Sequence, residues 1–567
     1  MAQQLYFSRD TRMFIQFRNP ADNTETAAKL GAGAVWEVPV LDGYSFSQTT
    51  NTSEITLAEM ESTAGISRRG RRMFTDSLAP AEWSFSTYIR PFVSKAGSVT
   101  PAGSVAASNA AEVHAVEEAF FASMFGADTY TTGSGFTRAT NAAASGGGVS
   151  GGVITPGSAS SVITLGESNR SALTSFTLFF MIDTAADNPL VYRMPEAIVN
   201  EVSVDFDVDG IATLNWSGFA KEIQDVSGGV VLGTSAPAYN ATTKDGSTVV
   251  LGDIFIDTDN AAGRQFNLIS TVPGSGNVSV TAAIDEATTS TKNFIRNRLT
   301  SVNVEAATAT DKVPTIFPGQ QAAITAIDVS GGTDKVTTGT AHGFATGDEV
   351  QISGITGSGG TTVDLNGTHF VNVTSTTQFK LYNTAANAIT GSGTGLTDLD
   401  ALSAGTLTNA VVCNGQYSLV LTGGSFNIAN NITYLVPEEL GAINKPLEHV
   451  TGTRTATGNA TCYLTLEDTD TSNGTSRQFF NDLVGTGAMS KVVNKFKVTM
   501  HIGGATATGN TTDPALKIEF PTAHITVPTH QIEDVISLET AFEALPTDFG
   551  TADEITAITY FPVDDYA

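Results

Sequence analysis

Cysteine is almost missing from this chain: Cys413 and Cys462 are the only two in 567 residues. A disulfide framework and a cysteine-ligated zinc cluster are therefore excluded, and both thiols are expected on buried strands of a C-terminal unit. Basic residues are scarce as well, 29 against 57 acidic ones, for a formal net charge of -28. A duplex-DNA reader needs a basic face to displace counterions, so specific nucleic-acid binding is disfavoured. An acidic protein can still enclose DNA that must slide, and the charge also serves plain solubility. No apolar run of about 18 residues occurs, so no membrane-spanning helix is expected. The opening MAQQLYFSRDTRMF has no basic region followed by an apolar core, so it does not read as a secretion signal.

Catalytic signatures are missing too. No Gly-x-x-x-x-Gly-Lys phosphate cradle and no His-Glu-x-x-His pair occurs. Gly148-Val149-Ser150-Gly151-Gly152 has hydrolase-elbow spacing but lacks the flanking strand and helix such an elbow needs. Asp205-Phe206-Asp207-Val208-Asp209-Gly210 begins like a calcium loop, yet its twelfth position is Trp216 where a bidentate Glu is required. Asp468 to Gly474 reads as a solvated turn or a weak cation site, and His342 as structural. No enzyme activity, cofactor or metal is expected.

What remains is abundant Gly, Thr, Ser and Ala, with charged residues at only 15% and hydrophobic ones at 41%. That composition suits a mainly β protein with many turns, or one that hides its surface in an assembly. At 59.0 kDa several domains are expected.

Period-2 alternation marks strands at Ala34–Val40 and Trp83–Arg90; strands resume at the apolar run Phe176–Ile182 and continue through Val202–Val208 and Ala212–Trp216, with Asp209-Gly210 as a hairpin turn. Residues 50–78 read as a polar stretch without a clear strand, and 131–162 as a loop. Val113, Val116, Phe120 and Phe121 at helical spacing predict a helix from Ala111 to Gly126.

A second pass finds much of this order again. Gly43-Tyr44-Ser45-Phe46 is matched by Gly423-Gly424-Ser425-Phe426, and the Phe120-Phe121 helix by Phe479-Phe480. Phe176–Ile182 is matched by Phe496–Ile502, and Pro195-Glu196-Ala197-Ile198-Val199 by Pro521-Thr522-Ala523-His524-Ile525. Four matches in one order argue for internal duplication. The expected boundaries are 1–225 for the first unit and 226–290 for a bridging or decorating β-rich segment. The second unit takes 291–321 with 410–567, interrupted at 322–409 by a small β domain and its Gly/Thr-rich linker.

These residues resemble the tail-tube proteins of long-tailed bacteriophages. The carriers are Val38–Phe46, the Trp83–Pro91 strand, the Phe-Phe helix and Asn293–Leu299. The resemblance implies two tandem tail-tube-like β-sandwich domains, each with a flanking helix, plus inserted small β domains. It further implies a virion protein, made in the host cytoplasm, whose rings stack into a hollow tube for DNA. Two fused folds imply trimeric rings with pseudo-sixfold symmetry; without the duplication, six chains per ring are the default. Implied partners are the tape-measure protein, the tail terminator, tail-tip or baseplate proteins, and a sheath if the tail contracts, with double-stranded DNA as non-specific cargo. The basic cluster Arg68, Arg69, Arg71 and Arg72 is expected at a ring-to-ring contact. Glu201, Asp205 and Asp207, on the polar face of an alternating strand, are the candidate lumen-facing acids, against ordinary solvent exposure. Other readings are a baseplate, decoration or fibre component, or a carbohydrate-binding adhesin.

Overall fold

The computed structural model describes residues 11–17, 35–56, 71–89, 117–125, 175–182, 189–259, 264–283, 297–306, 322–328, 333–344, 346–355, 365–399, 406–413, 416–436, 444–465, 475–484, 496–502, 516–532, 534–546 and 557–560, with short pieces between them. The protein is mainly β.

The N-terminal part contains β1 (Arg12–Phe17), β2 (Val35–Val38), β3 (Ser45–Ser47), β4 (Thr50–Thr56), β5 (Arg71–Leu78), β6 (Ala81–Tyr88), α1 (Glu118–Met124), β7 (Phe176–Ile182), β8 (Leu190–Asp207) and β9 (Thr213–Ala220). Hydrogen bonding orders seven of these strands β2-β1-β7-β8-β9-β6-β3, all antiparallel. Strand β8 is long enough to serve two sheets. Its first part pairs with β7, its second with β9, and the ladder slips between them around Pro195. Proline donates no amide hydrogen, so a bulge is where a central strand tolerates it. The two sheets close over Met13, Ile15, Phe176, Leu178 and Met194 on one side and Trp83, Phe85, Val202 and Trp216 on the other. Helix α1 plugs the open end, its Phe120 ring lying 5.7 Å from Phe176 and 5.2 Å from Trp216.

A four-stranded sheet follows: β10 (Val230–Gly233), β11 (Ile254–Asp257), β12 (Gln265–Thr271) and β13 (Ser279–Ala282). Its Val230, Ile254, Ile256, Phe266 and Leu268 pack on Phe14, Phe179, Met181 and Val191, the outer face of the first sandwich. This is why Phe176–Ile182 is apolar on both faces.

After β14 (Ser301–Ala306) comes a closed barrel of β15 (Ala322–Ile327), β16 (Val336–Thr338), β17 (Glu349–Ser353), β18 (Gly367–Ser375), β19 (Gln378–Tyr382) and β20 (Val411–Cys413). It has its own core around Val336, Val350, Val371, Phe379 and Val412. A short helix, α2 (Ala385–Thr390), leaves β19, with the Thr384 side chain accepting from the Asn387 amide and Gly391 in the left-handed conformation at its end.

The C-terminal part then runs β21 (Gln416–Ser418), β22 (Leu421–Ala429), β23 (Thr455–Tyr463), α3 (Ser476–Val484), β24 (Phe496–Ile502), β25 (Leu516–Ile525), β26 (Thr529–Gln531) and β27 (Ser537–Ala544). With β14 these pair as β21-β14-β24-β25-β27-β23-β22. Strand for strand this is the N-terminal order. The correspondence extends to register: Phe176 faces Ala197 and Phe496 faces Ala523, each followed by the same slip beside Pro195 or Pro521. Phe479 of α3 lies 6.1 Å from Phe496, as Phe120 lies near Phe176.

One buried pair is inverted between the two parts. In the first, Phe46, Trp83 and Gly218 lie abreast, and a Cβ on Gly218 would meet the Trp83 ring at 2.4 Å. In the second, Phe426, Gly458 and Phe542 lie abreast, and a Cβ on Gly458 would meet the Phe542 ring at 2.4 Å. Each site holds one large ring over one glycine, on opposite strands.

Several expectations need correction. Residues 50–78 contain a β hairpin, β4 with β5. The helix expected from Ala111 is confined to Glu118–Met124, with Val113–His114 paired instead to Val93–Ser94. The 131–162 stretch includes short ladders, such as Val149–Ser150 with Val153–Ile154. Part of the expected linker is helix α2. Cys413 belongs to the barrel, because β20 closes it; Cys462 sits on β23, and both thiols are buried.

Candidate functional site

One sheet of each sandwich is joined edge to edge with its counterpart in the other. The far half of β8 pairs with β22 over seven residues, from Glu201 opposite Ala429 to Asp207 opposite Gly423. The result is one continuous sheet of eight strands, β3-β6-β9-β8-β22-β23-β27-β26. Its two faces differ because successive strand residues point opposite ways. One face carries Trp83, Phe85, Val202, Val204, Phe206, Leu214, Trp216, Phe426, Ile428, Leu538 and Phe542, all buried. The other is nearly all hydroxyl, amide and carboxylate.

Cross-strand rows spell out that polar face. One row runs Ser86, Asn215, Ser203, Asn427, Thr457, Glu543, His524. Another runs Asp207, Gly423, Thr461, Glu539, Thr529. The acids on it are Glu82, Glu201, Asp205, Asp207, Glu539 and Glu543, and no lysine or arginine occupies any of its ladder positions. Arg298, which pairs with Asp209 at 2.8 Å, stands beyond the end of β8.

The three acids read from the sequence therefore share this face. Glu201 is half-buried and accepts from the Asn427 amide; Asp205 is exposed, with the Asn215 amide 3.5 Å away. Asp207 also shapes the turn, its Oδ1 accepting from the Gly210 amide and from Asn297 at 3.4 Å. Glu82, Glu539 and Glu543 escaped the sequence reading. Their signal was present in the alternation of Ala81–Tyr88 and Ser537–Ala544, whose exposed positions they take.

Of the arginines expected to make a contact between rings, Arg71 and Arg72 open β5, opposite Thr56 and Ile55. Arg68 and Arg69 lie outside the described residues. Nearby on the same hairpin, Met73 and Phe74 are exposed. Among the described residues no group of three or more potential metal ligands converges, and Trp216 is a buried strand residue rather than the end of a calcium loop. His342 is buried, its Nδ1 accepting from the Phe344 amide while Nε2 lies 3.0 Å from the Ser375 carbonyl. Among the described residues no helix is long and apolar enough to cross a membrane.

No family model matches the sequence. Part of the chain is, however, similar to a phage tail tube protein. That relative is the tail tube protein pb6 of Escherichia phage T5, 36% identical over 141 residues. The match takes in 25% of this chain and 28% of the relative's length.

Proposed function

We propose that the chain is a structural virion protein whose rings stack into a hollow tail tube for phage DNA. The observation that carries this reading is the polar sheet face running unbroken across both sandwiches, acidic and with no lysine or arginine at its ladder positions. Ordinary exposed sheets mix both signs of charge. A wall that duplex DNA must pass without sticking needs carboxylates and neutral hydroxyls, because each lysine or arginine would gain by displacing counterions from phosphate. Glu201, Asp205 and Asp207, with Glu82, Glu539 and Glu543, are assigned to that wall.

The repeated strand order supports two fused copies of one unit, and hence three chains per ring with pseudo-sixfold symmetry. Closing the sheet into a barrel also removes its open edges. The four-stranded sheet and the small barrel are assigned to the outside. Arg68, Arg69, Arg71 and Arg72 are assigned to the contact between rings, where carboxylates of the next ring would pair with them. Tape-measure, terminator and tip or baseplate proteins would bind the ends or interior of the stack, and a sheath its exterior if the tail contracts. The role is passive, with no catalytic step.

Electron microscopy of the concentrated protein, averaged down the particle axis, tests this. Hollow rings or tubes of three chains with a sixfold-looking wall are the expected result. Six chains per ring would keep the role and end the fusion argument. Lumenless rods or monomers would overturn the tube reading.

A further inference from the structure

The chain already contains one contact between neighbouring units, β8 with β22, and its register is known residue by residue. Repeating the contact requires the counterparts of those strands at the two ends of the eight-stranded sheet. The counterpart of the far half of β8 is the segment Val527–Ile532. Ser203 lies opposite Asn215 as Thr529 lies opposite Glu539, in matching places beside β9 and β27. The counterpart of β22 is Tyr44–Thr49, since Phe46 and Phe426 hold the same place beside β6 and β23.

Both counterparts are open. Among the described residues, nothing pairs with the outer edge of β3 or of β26. Both strands are only three residues long, whereas β22, the paired equivalent of β3, has nine, and the far half of β8, the equivalent of β26, pairs over seven. Short strands are a common way to blunt an edge that has no partner yet. The second edge is also apolar to an unusual degree. Ile532 is 81% exposed and Val527 54% exposed, although Phe206, which holds the place of Ile532, is 5% exposed. In the internal contact that buried ring lies over Gly424.

We infer that Val527–Ile532 of one chain pairs antiparallel with Tyr44–Thr49 of a second copy, in the register of the internal contact. Thr529 then faces Ser47, Gln531 faces Ser45, and Ile532 lies beside Tyr44. The polar face runs on across the junction through Thr529, Gln531, Ser45 and Ser47, and the exposed isoleucine is covered. The inference deepens the ring-forming reading and rests on it.

A disulfide tests the register, because only directly opposed strand residues bring their Cβ atoms within about 4.5–5.5 Å. The Ser45→Cys, Gln531→Cys chain is concentrated, oxidised and run on a non-reducing gel, with the same sample viewed by electron microscopy. Ser47→Cys with Gln531→Cys serves as the slipped control. Asp205→Cys with Ser425→Cys, opposed in the internal contact, shows that such a pair can oxidise within this sheet. Linked dimers and trimers, with nothing larger, are expected from 45 with 531 and not from 47 with 531. Rings without the 45–531 link, or with an equal 47–531 link, would overturn the pairing and leave the tube reading standing. No rings and no link, while the internal control oxidises, would overturn both.

Discussion

The inverted ring-and-glycine pairs allow a demanding test of the equivalence between the two sandwiches. In the C-terminal one, Phe542 is 6% exposed and fills the space beside Gly458, its ring 5.3 Å from Phe520. Phe542→Gly removes that ring, which costs about 3–5 kcal/mol for the cavity, and a glycine within a strand adds about 0.5–1 kcal/mol. Gly458→Phe adds a second ring where even a Cβ comes within 2.4 Å of Phe542, and overpacking of this kind costs about 1–3 kcal/mol. Independent effects would sum to roughly 4.5–9 kcal/mol. Gly458→Phe with Phe542→Gly, however, moves the ring to the strand that holds Trp83 in the first sandwich and leaves composition unchanged. The double variant is expected to recover at least about 2 kcal/mol of the sum, near the upper part of the range for contacting residues. Denaturant unfolding of the four chains measures the coupling. A coupling near zero would refute the claim that the two sites are one design built twice.

Three further expectations follow from the geometry. Burial, with Lys517 and Lys497 adding to it, pushes the His501 imidazole down to about 4. The unfolded chain then takes up a proton near pH 6.5 that the folded chain refuses, so up to roughly 3 kcal/mol of stability present at neutral pH drains away as pH falls from about 6.5 to about 4. His501→Gln should flatten the fall of the melting temperature between pH 7 and 4.5 relative to the parent, and an unchanged slope would contradict this. Asp205→Lys with Glu539→Lys and Glu543→Lys should leave each chain folded, at about 0.5 kcal/mol or less per exposed site, while assembled particles come to retain labelled duplex DNA at about 50 mM salt and shed it at higher salt. Equal retention by parent particles would count against the acidic wall. Thr384→Ala removes the N-cap of α2 and should cost about 1 kcal/mol, seen as faster amide exchange over Ala385–Thr390 with the rest of the barrel unaffected.

Much of the scaffold was legible because the strands of the shared sheet are wet on one face and dry on the other. Trp83–Tyr88 and Val202–Val208 alternate for that reason, and the four matched segments fall on elements that pair alike in both halves. The hairpin β4–β5 was not legible: Thr-Asn-Thr-Ser-Glu-Ile-Thr forms a two-stranded ribbon without the apolar alternation that marks a buried face. The helix was drawn too long because Val113 and Val116 mimic its spacing while Val113 lies in a strand ladder. Cys413 was assigned to the wrong unit because a barrel closes with its last strand, and Val411–Cys413 returns to the barrel after a long excursion. The acidic face was half visible. Glu201, Asp205 and Asp207 lie on one strand, whereas Glu82, Glu539 and Glu543 join them only through a sheet assembled from distant parts of the chain. The acids also do not repeat: Asn215 stands where Glu539 does, and Asp205 where Gln531 does, so matching one half to the other does not reveal them.

The covalent joining of two units has a consequence for the size of anything they enclose. The proposed ring could gain or lose units only in pairs, eight strands of the shared sheet at a time, so its bore would change in coarse steps. With strands about 4.8 Å apart and tilted by about 40°, two chains would give a backbone diameter of roughly 32 Å, three roughly 48 Å and four roughly 64 Å. Small errors of assembly therefore have no neighbouring size to fall into. In the proposed ring the exterior would obey a different count, since the four-stranded sheet packs on the first unit and the barrel is inserted in the second, so a sleeve or receptor reading the outside would meet half as many identical sites as DNA would meet within.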